Sequence, residues 1–147
     1  MEITFDRIEV GAEYISAGRT ICEADIVNFA GVTGDFNSLH MDDQWVRANT
    51  PYSGRIAHGL LVHAIGEGLR CPELDSWVIL AFLETQRRML LPVSPGDRLQ
   101  QTYRVASKKP TSKDPSKGVV EVDVVITNQN GETVQSGYNR YMIGGAA

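Results

Sequence analysis

The stretch from His58 to Arg70 constrains the fold more than any other. Leu60, Leu61, Ala64, Ile65, Gly68 and Leu69 leave it apolar over most of a helical surface. A helix that is apolar nearly all round must be buried by other elements. Gly59, Ala64, Gly66 and Gly68 are small enough for neighbouring backbone to come close, and Cys71-Pro72 ends the run because a residue before proline avoids helical backbone angles. A chain of 147 residues has the length of one compact domain. Residues 1–147 therefore read as a single domain built around this helix.

What surrounds the helix is read from the flanking periodicities. Tyr14 to Arg19 reads as a short strand. Thr20-Ile-Cys-Glu23 has the form of a capping box, followed at helical spacing by Ile26, Phe29, Ala30 and Thr33, so a helix is predicted over residues 21–32. A short helix over Asp43–Asn49 has Asp42 as its N-cap. From Ser76 the texture becomes β-like. Trp77 to Leu91 contains one strand, Pro95-Gly96-Asp97 is a turn, and Arg98–Ser107 is a second strand. Residues 108–118, rich in Lys, Pro and Ser, read as an exposed loop. Val120, Val122, Val124 and Ile126 alternate with polar residues as in a half-buried strand. Asn130-Gly131 signals a two-residue hairpin, and Thr133–Ile143 returns from it. The fold class is α+β, an antiparallel sheet wrapped around one long central helix.

Composition removes several classes of function. The net charge of −4 argues against a general nucleic-acid binder, which carries a basic footprint. Two cysteines, Cys22 and Cys71, are too few for a disulfide framework and read as reduced thiols. The N-terminus lacks the basic region and apolar run of a signal peptide, and no segment reaches the roughly 18 apolar residues of a membrane span. The expected location is cytoplasmic, with no membrane partner.

Gly34-Asp35-Phe36-Asn37-Ser38-Leu39-His40 places a carboxylate, a carboxamide and an imidazole on one loop, where reactive groups concentrate when a rigid scaffold holds them. Ala57-His58-Gly59 then opens the central helix. The first amides of a helix have no partner within it and carry the positive end of its dipole, and a glycine there admits a ligand oxygen. On its own, Asp35-x-Asn37-x-x-His40 is equally the composition of a hydrogen-bonded turn. His58 reads foremost as a structural residue at the helix start. His63 lies about 140° around the helix from His58, so a zinc site from His58, His63 and Asp42 is not expected, and no metal is assigned. Trp45 and Trp77 read as packing residues.

Three blocks in order carry a resemblance. Phe29-Ala30-Gly31-Val32-Thr33-Gly34-Asp35-Phe36-Asn37-Ser38-Leu39-His40, Ile56-Ala57-His58-Gly59-Leu60-Leu61 and Pro92-Val93-Ser94-Pro95-Gly96-Asp97 resemble the MaoC-like dehydratases and (R)-specific enoyl-CoA hydratases. The late Asn128–Glu132 hairpin matches as well. The resemblance implies a hot-dog fold and reversible hydration of a trans-2-enoyl-CoA to the 3-hydroxyacyl thioester, without cofactor. It implies that Asp35 and His40 activate one water, with an Asp hydrogen bond orienting the imidazole. The Gly59 amide would receive the developing oxyanion, Asn37 would support the loop, and His58 would line the substrate site.

The substrate implied is a small-molecule acyl-CoA; Arg87, Arg88, Lys108, Lys109, Lys113 and Lys117 read equally as a rim for its phosphates or as ordinary solvated surface. Pairing into a homodimer or higher homo-oligomer is expected, to cover the open flank of the helix. The alternatives within reach of the same fold are a thioesterase and a non-catalytic acyl-thioester-binding partner subunit. Two positions depart from the family pattern. Ser38 stands where proline is usual, and Glu67 stands on the central helix where a small residue is common, which leaves the acyl group open.

Overall fold

The computed structural model describes residues 1–145. In chain order it contains a 3₁₀ turn at Phe5–Arg7, β1 (Glu13–Ile15), β2 (Arg19–Thr20), α1 (Glu23–Thr33), α2 (Ser38–Met41), α3 (Asp43–Asn49), α4 (Gly59–Gly68), α5 (Pro72–Asp75), β3 (Ile79–Met89), β4 (Arg98–Pro110), β5 (Gly118–Thr127) and β6 (Thr133–Ile143). The strands form one sheet in the order β1-β4-β5-β6-β3, with β2 also on β4. The named strand pairs are antiparallel. β5 follows the alternation read from its sequence: Val120, Val122, Val124 and Ile126 are fully buried, while Glu121 and Asp123 point to the other face. The β5–β6 turn has Gly131 at φ 74°, a left-handed conformation glycine adopts without strain.

α4 lies on the concave face of this sheet. Leu61, Val62, Ile65 and Leu69 pack against Val93, Leu99, Ile126 and Val134, with Ile26 of α1 closing the cluster. A second cluster, at the other end of the same face, gathers Phe5, Cys71, Leu74, Trp77, Tyr103, Val105, Val122 and Ile143.

Three local expectations are revised. α1 starts two residues later than predicted, because residues 20 and 21 are held extended. Thr20 pairs with Arg98, and Ile21 exchanges backbone bonds with Gly96 and Asp97. The cap is accordingly Cys22, whose amide donates to Asp25 at 2.8 Å, and Cys22 is exposed. The strand expected over Tyr14–Arg19 is broken in two. The exposed loop shrinks, since Lys108, Lys109 and Pro110 continue β4 opposite Val120, Val119 and Gly118.

The central helix has the open flank expected of it. One flank is open within the chain: Leu60, Ala64 and Gly68, four residues apart, are exposed, Leu60 to 65%. β3 ends the sheet beside it, with Leu80, Phe82, Leu83 and Met89 about half exposed. Its far edge has no partner strand among the described residues.

Candidate active site

α1 ends at Gly34, whose φ of 80° satisfies the left-handed cap and lets its amide donate to Ala30 O at 2.8 Å. The chain then turns tightly. Asp35 N donates to Thr33 Oγ1 at 3.2 Å, and Asp35 Oδ1 accepts from Asn37 N at 3.2 Å. Asn37 Oδ1 caps α2 by accepting from Leu39 N at 2.9 Å. This one turn of helix swings His40 inward. Asp35 remains half exposed in its side chain, at 51%, while His40 is buried.

His40 Nδ1 lies 2.7 Å from Ile56 O. A carbonyl only accepts, so Nδ1 carries the proton and a neutral ring keeps the lone pair on Nε2. The Asp35 hydrogen bond expected to orient His40 is therefore replaced by a main-chain carbonyl. Asp35 is tied instead to His58, the N-cap residue of α4. His58 Nε2 donates to Asp35 O at 2.9 Å and stands 4.0 Å from Asp35 Oδ2. The two imidazoles stack at 3.8 Å with a 26° tilt, and Phe29 packs on His58 at 5.0 Å. His58 acts as the strut of the site, joining the Asp35 loop to the head of α4.

Asp35, His40 and His58 each bring one donor atom within 4.8 Å of the others. These three, rather than His58, His63 and Asp42, are the group that a metal ion would find. His40 Nδ1 and His58 Nε2 serve main-chain carbonyls and the rings are stacked, while His58 Nδ1 is buried without a partner. A spacing below 4.8 Å between carboxylate and imidazole also suits one water, whose two hydrogen bonds of about 2.8 Å span such a gap.

Beside them opens a cavity of about 390 Å³ lined by His40, Tyr52, Gly59, Val62, Met89 and Gln135 among others. Gly59 begins α4 and lines the cavity, and His58 supplies no side-chain cap to the first-turn amides. A Cβ at Gly59 would meet Met89 Cγ at 2.9 Å, so a larger residue there would push the Met89 side chain aside.

The structure thus joins Asp35, His40, His58 and Gly59, and gives Asn37 to the loop. Sequence reading missed the Ile56 carbonyl, which has no side-chain signal. It missed Gln135 too, although a glutamine after Val134 in an otherwise alternating strand was a visible irregularity. Its amide donates to Gly59 O at 2.7 Å. The phosphate rim is corrected. Arg87 points inward to Glu67, and Lys108 Nζ is held by the carbonyls of Phe5, Asp6 and Ile8. Lys109, Lys113 and Lys117 belong to the β4–β5 hairpin, whose base, Gly118, pairs with Ile143 at the opposite end of β6 from Gln135. Of the six, Arg88 alone adjoins the cavity, next to Met89.

An antiparallel sheet curled about one central helix is the architecture of a hot-dog protein. A Mycobacterium tuberculosis protein described as a double hot-dog fold shares it, with a TM-score of 0.83 at 20% identity over 99% of this chain and 45% of that one. The chain belongs to the MaoC-like domain family, whose model matches residues 7–129. The (R)-hydratase PhaJ1 of Pseudomonas aeruginosa superposes with a TM-score of 0.78 at 28% identity, over 99% of this chain and 88% of that one. The (R)-specific enoyl-CoA hydratase of Rhodospirillum rubrum is 30% identical over 113 residues, 74% of each chain. Protein MaoC of Klebsiella aerogenes is 34% identical over 109 residues, 74% of this chain but 32% of that protein, so the match spans about a third of its length. Among the described residues no helix is long and apolar enough to cross a membrane.

Proposed function

We propose that the chain reversibly hydrates a trans-2-enoyl thioester of CoA, with Asp35 and His40 sharing one water. The observation that carries this reading is the free Nε2 face of His40, fixed by the Ile56 carbonyl within reach of the Asp35 carboxylate and in one cavity with Gly59. Hydration needs a base to take a proton from water as its oxygen bonds to C3, and an acid to deliver a proton to C2. The electron pair of the C2=C3 bond moves onto the thioester oxygen in between. The Gly59 amide, at the positive end of α4, stabilises that charge. Protonation at C2 then restores the carbonyl.

The same reading accounts for the uncovered flank. Leu60, Ala64 and Gly68 of α4 and the open edge of β3 form one apolar surface, which a second copy would cover by extending the sheet across β3. The chain works, on this reading, as a homodimer or a higher homo-oligomer.

Loss of the conjugated enoyl absorbance of crotonyl-CoA, without release of free CoA thiol, is the expected result. Asp35→Ala and His40→Ala should each lower the rate at least about 10²-fold. Thiol release would make the protein a thioesterase. Unchanged rates in both variants would remove Asp35 and His40 from the chemistry.

A further inference from the structure

The two apolar clusters on the concave face are separated by a polar band. Gln101 and Asn139, both with no exposed surface, lie in it on the sheet. The band continues to Thr85 and Arg87 on β3 and to His63 and Glu67 on α4. Asn139 Nδ2 donates to both Glu67 oxygens at 2.9 Å, and Tyr141 donates to Glu67 Oε2 at 3.4 Å. Arg87 Nη2 donates to Glu67 Oε1, while Nη1 donates to the carbonyls of Gln86 and Tyr138 at 2.9 and 3.1 Å. Thr85 Oγ1 donates to Asn139 Oδ1 at 2.8 Å and so accepts from His63 Nε2, also at 2.8 Å. The Arg87 side chain is 1% exposed.

The position of this cluster matters as much as its bonds. Gly59, His63 and Glu67 recur every fourth residue and share one half-buried stripe of α4. The active-site cavity meets that stripe at Gly59, Met89 and Gln135. A second cavity of about 510 Å³ opens farther along it, at Glu67, Phe82, Tyr103 and Tyr141. The polar cluster stands between the two.

We propose that the Glu67–Arg87–Asn139 cluster is a stop for the acyl group, selecting short-chain enoyl thioesters and rejecting longer alkyl chains. The inference rests on the hydratase reading above. From a thioester held at Gly59, His63 lies about 6 Å and Glu67 about 12 Å along the helix axis. With C–C bonds of about 1.5 Å, an extended chain covers that first 6 Å in about five carbons. Beyond it, a methylene must separate the hydrogen-bonded groups of the cluster, leaving the Arg87 cation, whose side chain is 1% exposed, without its carboxylate. Displacing such a network is far less favourable than adding a methylene to an apolar tube. The selectivity should therefore fall as a step and not as a gentle slope.

The test compares hydration of crotonyl-, hexenoyl-, octenoyl- and decenoyl-CoA by the wild type and by the double variant E67L/R87M, which removes both charges together. For the wild type, kcat/KM should drop at least about tenfold between hexenoyl and octenoyl. In the double variant, the ratio of octenoyl to crotonyl kcat/KM should rise at least about tenfold. A flat wild-type profile, or an unchanged ratio in a folded double variant, overturns the proposal, and the wild-type profile decides alone if the variant does not fold. Calorimetric binding of butyryl-, hexanoyl-, octanoyl- and decanoyl-CoA should show the same step without any turnover. If that binding step appears while no enoyl thioester is hydrated, the stop stands and the hydratase reading falls. Equal binding across the series overturns the stop.

Discussion

His58 stacks on His40 with ring centroids 3.8 Å apart while its own Nε2 donates to the Asp35 carbonyl. One buried side chain thus sets the spacing between the two groups assigned to the water, and it does so without lining the cavity. Its contribution is separable by substitution. His58→Phe keeps an aromatic ring against His40 and Phe29 but loses the bond to the Asp35 loop. Hydration should fall about 10- to 10²-fold, through kcat more than KM, with little change in melting temperature. A fall in melting temperature with kcat preserved would make His58 a packing residue only.

Glu67→Gln keeps the shape of the polar cluster and removes its negative charge. Arg87 would then be a cation with no carboxylate in a side-chain environment 1% exposed. Removing one partner of a buried pair costs roughly 3 kcal/mol or more, and the chemical-denaturation midpoint should drop accordingly. An unchanged midpoint would mean that solvent reaches Arg87.

His63 gives the cluster a pH dependence. Burial first, and the neighbouring Arg87 cation second, hold its imidazole below the ordinary value of 6.5, with Glu67 opposing. As pH falls from neutrality the unfolded chain takes up this proton before the folded one. Stability from this group is fully present above 6.5 and declines as pH falls from there toward the lowered folded value. Urea midpoints at pH 7 and pH 5 should therefore differ more for the wild type than for His63→Gln. Equal differences would remove His63 as the source.

Gly137 lies on β6 opposite Arg87, and a Cβ there would fall on the Gln86 carbonyl group, which is backbone and cannot swing aside. Gly137→Ala should destabilise the protein by roughly 3 kcal/mol by forcing β3 away from β6. Hydrogen exchange should show the loss first in β3. Protection of β3 unchanged from the wild type would show that the pair of strands adapts.

Much of this was legible along the chain because it depends on local spacing. The apolar periodicity of residues 58–70 and the alternation of residues 120–126 each report which face is buried, and the Asn130-Gly131 turn reports the antiparallel return. The candidate-site loop was legible as a set of residue types, since Asp35, Asn37 and His40 make their own turn from bonds within a few residues. Where the reading slipped, a distant strand intervened. Thr20 was drawn into the sheet by Arg98, and Lys108 continued a strand because Val120 lay beside it.

The sequence by itself thus determined the central helix, the late meander and the residue types at its head. Only the tertiary structure decided that His40 is oriented by the Ile56 carbonyl, 16 residues away, that His58 holds Asp35, and that Glu67 meets Asn139 across 72 residues. These outcomes depend on sheet register and on how close the helix settles on the sheet. Hydrogen bonds of that separation leave no periodic trace, because the residue at either end is chosen by its partner and not by its neighbours in the chain.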